Sequence, residues 1–316
     1  MGRVDFAGAD ANLAGMPDVI LIAGPTASGK SRLALDIARR ANGAVINADS
    51  MQVYAELRVV TSRPSIDDEI SLPHRLDGHV PAAVRYSVGA WLANVAPVLA
   101  EARRAGRVAI VVGGTGLYFK ALTGGLAAVP PVPPEARAAL QAETAGVASK
   151  ALHARLAAVD PRGAAAIAPG DRARVLRALE VITTTGRPLG EWRRAPLLPP
   201  PIDPAAAGKI VLSPDRAVLH ARIARRAEAM APAGLAEVTA LLRLDLDPEL
   251  PAMKAIGVRE LAGHIRGDTS LDETLAAIKT ETHRYAKRQM TWFRGQMAGW
   301  RWIDDPAALD LDAFAA

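Results

Sequence analysis

The feature that most constrains this chain is a glycine-rich segment joining a short apolar run to a helical pattern. The apolar run Val19–Ala23 predicts a strand, and Leu33 and Ile37 beyond the segment have helical spacing. Backbone N–H groups of such a loop wrap a phosphate, a lysine adds charge, and the final hydroxyl can ligate Mg²⁺. We therefore predict a P-loop for a di- or triphosphate. It matches G-x-x-x-x-G-K-[ST] in full and reads Gly24-Pro25-Thr26-Ala27-Ser28-Gly29-Lys30-Ser31.

Three further β-branched runs, at residues 44–48, 108–112 and 210–212, alternate with helical patterns. Alternation of this kind predicts right-handed βαβ units around a parallel sheet. The predicted fold class is α/β, with a P-loop NTPase-like parallel-sheet core, an inserted and mainly helical domain, and a helical C-terminal region.

Two proline-rich stretches, at residues 129–134 and 196–204, bracket helical patterns without a convincing strand. Consecutive prolines are stiff and extended, and they cannot enter the interior of a sheet. We interpret them as the two arms of an insertion. The predicted organisation is an N-terminal extension at residues 1–17, a core at 18–130 and 203–316, and a helical insertion domain at 131–202.

Positive charge is concentrated in two regions of a chain whose formal net charge is +5. Residues 135–194 carry ten Lys or Arg against six Asp or Glu, and residues 281–301 carry five against one. Such regions are compatible with a polyanionic partner. Cysteine is absent, which excludes disulfides, thiolate nucleophiles, iron–sulfur clusters and zinc sites that need sulfur ligands. Because no apolar run approaches the ~20 residues that span a bilayer, we expect a cytoplasmic protein without a membrane segment.

The acidic residue that a conventional P-loop ATPase places after a later strand is missing. The run at 108–112 continues instead into Gly113-Gly114-Thr115, a turn with backbone donors and a hydroxyl. Asp49 follows the run at 44–48. Because the carboxyl ends of parallel strands share one crevice, we expect Asp49, Thr115 and the P-loop to converge there. A helix N-cap is the alternative role for Asp49.

From about Asp18 to Ile303 the chain resembles the tRNA dimethylallyltransferase family. Among the matching segments, only the P-loop is specific when taken singly. All of the segments together, in the order in which they occur, are very specific for this family. Besides it, the matching segments are D-S-M-Q-V-Y from Asp49, P-H-R from Pro73, V-G-G-T-G-L-Y-F-K-A-L from Val112, P-E-A-R from Pro134, R-V-L-R-A-L-E from Arg174, I-G-V-R-E from Ile256 and A-K-R-Q-M-T-W-F-R from Ala286.

The resemblance implies transfer of a dimethylallyl group from dimethylallyl diphosphate to N6 of adenine 37, beside the anticodon of tRNA. It implies the tRNA anticodon stem-loop as partner and Mg²⁺ as cofactor, with Ser31 on the metal, and we expect a monomer. Adenine N6 is a weak nucleophile, so a carboxylate that accepts its proton should assist by ~10²–10⁴-fold. The implied catalytic residues are Asp49, Thr26 and Lys30.

Further contacts follow from the same resemblance. Arg226, on a predicted helix with Arg222 and Arg225, is the implied diphosphate contact beside the P-loop. A solvated helix face is the alternative for all three arginines, and more so for Arg222 and Arg225. The implied tRNA-binding residues are Asp49, Ser50, Met51, Gln52, Thr115, Arg137, Arg174, Arg177, Lys254, Gly257, Arg259, Lys287, Arg288, Gln289 and Arg294.

One segment departs from the family pattern, and other functions remain open. The family commonly has T-A-K-P where this chain has Thr61-Ser62-Arg63-Pro64, and a basic residue is frequent at Ala55. The alternatives are an ATP-dependent small-metabolite kinase, an adenylate isopentenyltransferase, and a non-catalytic RNA-binding switch gated by nucleotide. The kinase and the adenylate enzyme leave the basic segments and the insertion unexplained, and the switch would not need Asp49.

Overall fold

The computed structural model describes residues 16–306 and Leu309. The predicted N-terminal extension lies outside the described residues, except for Met16 and Pro17. The chain divides into two compact units, one of Met1–Thr123 with Pro201–Ala316 and one of Gly124–Pro200. Within the described part, no helix is both long and apolar enough to cross a membrane.

Strands and helices alternate along the chain, with a second unit that is mainly helical. The strands are β1 (Val19–Ala23), β2 (Ala44–Asn47), β3 (His74–Arg75), β4 (Ala109–Gly113), β5 (Leu126–Ala127), β6 (Leu197–Leu198), β7 (Gly208–Leu212) and β8 (Arg301–Ile303). The helices are α1 (Lys30–Arg40), α2 (Ile66–Ser71), α3 (Val88–Arg104), α4 (Gly116–Gly124), α5 (Pro134–Thr144), α6 (Ser149–Val159), α7 (Pro161–Ala165), α8 (Arg172–Thr185), α9 (Leu189–Arg194), α10 (Arg216–Leu242), α11 (Val258–Ile265) and α12 (Leu271–Gln296).

Six strands form one parallel sheet in the order β3-β2-β4-β1-β7-β8. The P-loop strand β1 therefore lies inside the sheet, between β4 and β7. Its residues alternate between two buried faces: Ile20 and Ile22 pack with Ile37 of α1, whereas Leu21 packs with Trp91 of α3. Burial on both faces explains the continuous apolar runs. The predicted α/β fold with a parallel-sheet core is confirmed.

The strand bounds differ from the predicted ones by a residue or two, as is usual for strand ends. The strand predicted at 44–48 ends at Asn47, because the Asn47 side chain turns the backbone there: its Oδ1 accepts from the Asp49 amide at 2.8 Å. The strand predicted at 108–112 runs over Ala109–Gly113.

The second unit has a helical core of its own and one short antiparallel strand pair. Leu152 and Leu156 of α6 are buried with Val175 and Leu179 of α8. β5 and β6 pair Leu126 with Leu198 and Ala127 with Leu197, joining the two ends of this unit. The helices predicted between the proline-rich stretches are thus present.

A layer of helices from α10, α11 and α12 packs against the loop that follows β2. Glu237 of α10 holds this loop in place, since its carboxylate accepts from three successive backbone amides. The Arg58 and Val59 amides bond to Oε2 at 2.7 Å each, and the Val60 amide bonds to Oε1 at 2.9 Å. Bonds from amides to an ionised carboxylate are stronger than neutral ones.

We therefore expect Glu237→Gln to lower the free energy of unfolding by about 1–3 kcal/mol, because one acceptor and the charge are lost. Urea unfolding at neutral pH measures the effect. Glu228→Gln on the same helix is the matched control, because Glu228 is exposed and pairs only at the surface with Lys279, at 2.7 Å. Equal unfolding free energies for the two variants would contradict this role of Glu237.

Candidate active site

The P-loop between β1 and α1 presents backbone donors to an anion. Ala27 and Gly29 have positive φ values of 62° and 94°, which lets alternate residues turn their N–H groups to the same side. Gly29 is the N-cap of α1, where any side chain would be strained. The first turn of α1 carries no acidic residue, so its positive dipole end is not neutralised.

Two cations and one carboxylate lie close together beside this loop. Burial lowers the pKa of Lys30 to about 8; the Asp49 carboxylate opposes this shift and Arg226 adds to it. Burial also lowers the pKa of Arg226, again against the effect of Asp49. The Lys30 ammonium donates to the Pro25 carbonyl at 3.3 Å. A partly buried positive site next to a phosphate-binding loop favours an anionic ligand.

Asp49 is held at the end of β2 by local hydrogen bonds. The Asn47 amide group donates to the carbonyls of Asp49 and Leu76, both at 3.0 Å. The Asp49 Oδ1 in turn accepts from the Met51 amide at 2.9 Å. This bond orients the carboxylate within the crevice.

The turn after β4 lies against Asp49, as the strand order predicts. Thr115 Oγ1 accepts from the Ser50 amide at 2.9 Å and lies 3.2 Å from Ser50 Oγ. A side chain at Gly114 would place its Cβ 2.2 Å from Gln289 Nε2 and 3.2 Å from Asp49 Oδ2. A side chain at this position would therefore displace the Gln289 amide group.

One cavity of about 260 Å³ connects the P-loop, the end of β2 and the helical layer. Several predicted site residues line it together: Thr26, Asp49, Ser50, Met51, Arg226, Lys254 and Arg288. Its apolar wall was not predicted from the sequence; it is formed by Val60, Ile223, Ala227, Met230, Ile256 and Ile278. The cavity thus combines charged groups with a lipophilic surface.

Tyr285 of α12 is a further lining residue that the sequence analysis missed. Burial raises the pKa of its phenol, and the Asp49 carboxylate raises it further, so the phenol stays neutral and can donate. The Arg288 guanidinium lies 5.8 Å from the centre of the Tyr285 ring. Ile278, Thr282 and Tyr285 recur at helical spacing, a pattern that could have indicated this lining face.

Other predicted residues lie outside this cavity lining. The Gln52 amide donates to the carbonyls of Thr61 at 3.0 Å and Ser62 at 2.9 Å, so both donors are used internally. The Gly257 amide donates to Glu260 at 2.8 Å at the start of α11. Arg259, Lys287 and Arg294 also lie outside the lining and are exposed, as are the two lining residues Lys254 and Arg288.

Arg222 and Gln289 are placed differently from what the sequence suggested. Arg222 does not belong to a solvated face, because its Nη1 donates to the Ser28 carbonyl of the P-loop at 3.1 Å, whereas Arg225 is exposed. Gln289 is buried rather than exposed beside Lys287 and Arg288. Both differences arise from contacts between segments far apart in sequence.

The three predicted arginines of the second unit differ in their partners. Arg137 and Arg177 both bond to Glu180, at 3.2 and 3.3 Å. Arg174 has a side chain 74% exposed and pairs with Asp171 at 3.4 Å. Among these three, Arg174 is the most accessible to a partner.

The segment that departs from the family pattern contributes to a partly buried ion pair. Arg63 is nearly buried, lies 3.8 Å from Glu69, and donates to the Tyr54 carbonyl at 3.2 Å. Burial raises the pKa of Asp77 to about 7; Glu69 adds to this shift and Arg63 opposes it. Arg63 thus bonds within the protein next to a carboxyl group that the sequence analysis did not single out.

Ser31 is the one predicted metal contact. Its side chain is exposed in the first turn of α1 and borders a second cavity that also contacts Lys30 and Asp77. Within the described residues there is no cluster of three or more His, Asp or Glu side chains suited to a metal. This donor set fits Mg²⁺, which is bound through few protein groups when substrate phosphates and water complete its shell.

The fold and the site together define a P-loop α/β protein in which a phosphate-binding loop and a carboxylate share one partly apolar cavity. The model of the IPP transferase family matches residues 52–296, and that of the isopentenyl transferases matches residues 17–76. The chain belongs to the tRNA dimethylallyltransferase (IPP transferase) family.

Curated relatives and solved structures agree with this assignment. The chain is 53% identical over 302 residues to a tRNA dimethylallyltransferase of Rhodopseudomonas palustris, covering 94% of this chain and 92% of that protein. It is 55% identical over 286 residues to one of Methylobacterium nodulans, covering 90% and 94%. The tRNA isopentenylpyrophosphate transferase structure of Bacillus halodurans has a TM-score of 0.63 at 34% identity, covering 90% and 89%. A eukaryotic dimethylallyltransferase acting on tRNA has a TM-score of 0.76 at 26% identity, covering 93% and 76%.

The lowered pKa of Lys30 predicts pH-dependent binding of dimethylallyl diphosphate. Below about pH 8 the ammonium is charged and attracts the diphosphate; above it the free protein must take up a proton to bind. The dissociation constant should therefore rise with pH above about 8, approaching tenfold per unit. Titration calorimetry between pH 7 and 9.5 measures it. Lys30→Arg is the control, because a guanidinium stays charged and its affinity should not change with pH. An equally flat wild-type profile would contradict this role of Lys30.

Proposed function

We propose that this protein transfers a dimethylallyl group from dimethylallyl diphosphate to N6 of adenine 37 in tRNA and releases diphosphate. The observation that carries the proposal is the shared cavity, in which Asp49, Arg226 and Thr26 of the P-loop lie beside an apolar wall. A kinase site has no need of such a wall, whereas a five-carbon prenyl group does. Family membership supports the same reaction.

The reaction separates two charges, and the site has a group for each. The C1–O bond of the donor breaks with its electron pair going to the diphosphate, whose negative charge Lys30 and Arg226 stabilise. The N6 lone pair of the adenine forms the new bond to C1. The N6 proton passes to the Asp49 carboxylate, which ends the step neutral.

The P-loop supplies the remaining contacts to the leaving group. Thr26 lines the cavity and is proposed to touch the diphosphate, together with the other loop residues of 24–31. Ser31 would hold Mg²⁺, which when bound would stabilise the negative charge of the departing diphosphate. Arg222 bonds to the Ser28 carbonyl and thereby supports the loop from α10.

The partner proposed for the exposed basic residues is the tRNA anticodon stem-loop. Adenine 37 must leave its stack to reach a cavity of this kind, and Ser50, Met51 and Arg288 line that cavity. We propose that the helical unit contacts tRNA through Arg174, with Arg137 and Arg177 beside it, and that the enzyme acts as a monomer in the cytoplasm. Further proposed contacts are Gln52, Thr115, Lys254, Gly257, Arg259, Lys287 and Arg294.

Asp49→Asn should separate chemistry from binding. The amide keeps the shape of the side chain but cannot accept the N6 proton, so single-turnover transfer should slow by ~10²–10⁴-fold. Affinity for the donor should hold or improve, because a negative charge near the diphosphate is removed. The measurement uses purified protein, an anticodon stem-loop and dimethylallyl diphosphate, with donor and RNA titrated separately.

Asp36→Asn, an exposed change on α1, is the charge-matched control for this experiment. Transfer at the wild-type rate in Asp49→Asn would refute its role as proton acceptor. Failure of the wild-type protein itself to prenylate the RNA, or ATP-dependent phosphorylation of a metabolite at a comparable rate, would refute the proposed function.

Binding to tRNA should depend on salt through the exposed arginines. Each phosphate contact that is lost flattens the log–log slope of affinity against salt by about 0.7–0.9, so Arg174→Ala and Arg288→Ala should each show this decrease. Arg103→Ala is the control, because Arg103 is 82% exposed at the end of α3, near Asp18 and the amino end of β1. If the slopes of RNA affinity against salt for Arg174→Ala and Arg288→Ala match that of the control, neither arginine contacts an RNA phosphate and both are solvated surface residues.

A further inference from the structure

Gln289 is a buried polar residue on α12 whose two amide atoms bond to backbone groups of two distant loops. Its Oε1 accepts from the Thr26 amide at 2.9 Å, and its Nε2 donates to the Gly114 carbonyl at 2.9 Å. The residue is only 6% exposed. Because one partner is a donor and the other an acceptor, only one orientation of the amide satisfies both.

These two bonds connect the loops that follow neighbouring strands. Thr26 belongs to the P-loop after β1, and Gly114 belongs to the turn after β4, which pairs with β1 in the sheet. The same turn carries Thr115, which bonds to Ser50 next to Asp49. Gln289 thus joins the P-loop to the segment that holds the carboxylate.

The bond to Thr26 also determines what the P-loop offers a ligand. The Thr26 backbone N–H donates to Gln289 and therefore points toward α12. Thr26 itself still lines the cavity. The next residue, Ala27, has a positive φ of 62°, a conformation that an alanine rarely adopts without support. The hydrogen bond from Thr26 to Gln289 is adjacent to Ala27 and can stabilise its left-handed conformation.

We propose that Gln289 is a positioning residue that fixes the P-loop for diphosphate binding and does not itself contact tRNA. This inference rests on the proposed function, in which the P-loop binds the diphosphate. Its neighbours Lys287 and Arg288 are exposed and serve the RNA, whereas Gln289 points to the opposite, buried side of the helix. One helix therefore carries both the RNA-facing residues and the support of the P-loop.

Gln289→Met tests the proposal, because methionine has a similar length and fills the space without either hydrogen bond. Loss of two bonds should weaken binding of inorganic diphosphate by about tenfold or more in the presence of Mg²⁺ and without tRNA. The KM for dimethylallyl diphosphate should rise likewise, while the affinity for the anticodon stem-loop stays within about twofold of wild type. Hydrogen exchange at the Thr26 amide should accelerate, with the β1 amides unchanged.

Two comparisons separate positioning from general stability. Phe293→Leu changes a fully buried residue of the same helix that packs in the core, so it should lower stability without changing the affinity for diphosphate. Gln289→Asn keeps a polar amide but is shorter by one methylene and can reach at most one partner. It should show a smaller loss of diphosphate affinity than Gln289→Met, and it preserves the test if the methionine variant does not fold.

Each outcome decides the question. Normal diphosphate affinity in the folded Gln289 variants would overturn the proposal, and a selective loss of RNA affinity would make Gln289 a tRNA contact instead. Prenyl transfer by the wild-type protein is measured in parallel. If the wild type transfers normally and the variants bind diphosphate normally, the inference fails while the proposed function stands; if the wild type does not transfer, the proposed function fails.

Discussion

The structure depends on one electrostatic constraint: the loop at the end of β1 must turn backbone amides toward an anion, although its Thr26 and Ser28 amides donate to Gln289 and Pro25. The left-handed residues Ala27 and Gly29 produce this arrangement, and the start of α1 adds its dipole. Such a loop needs a rigid base, which the inner position of β1 in a six-stranded parallel sheet provides. Because neighbouring strands end at the same edge, the side chains that follow β2 and β4 are brought to the loop as well.

The same constraint explains how opposite charges come close together beside the P-loop. Lys30 and Arg226 are partly buried cations whose charge is costly until an anion arrives, and the lowered pKa of Lys30 expresses that cost. The Asp49 carboxylate offsets part of that cost. In the proposed reaction, the leaving group and the nucleophile would have separate partners in one crevice. A site built for phosphoryl transfer would instead place an acid on the metal.

The sequence predicted the parts of the site that local patterns determine. The P-loop, the strand runs and Asp49 are each specified within a few residues, and the parallel order of the strands then implies their convergence. What was missed are contacts over long separations, even for residues that the sequence did single out. Gln289 bonds to Thr26 across 263 positions and Arg222 to Ser28 across 194, and no local period indicates either contact. The apolar wall was likewise hidden, because its residues come from α10, α12 and two loops and individually look like ordinary core residues.

The most direct test of the central claim is mass spectrometry of tRNA nucleosides from cells with the gene, without it, and without it but complemented. If the protein prenylates tRNA, N6-dimethylallyladenosine or products derived from it should be present in the strain with the gene and absent from the strain without it. Complementation with wild-type protein should restore the modification, and Asp49→Asn at equal abundance should not. Unchanged prenylated adenosine in the strain without the gene, or full restoration by Asp49→Asn, would contradict the account.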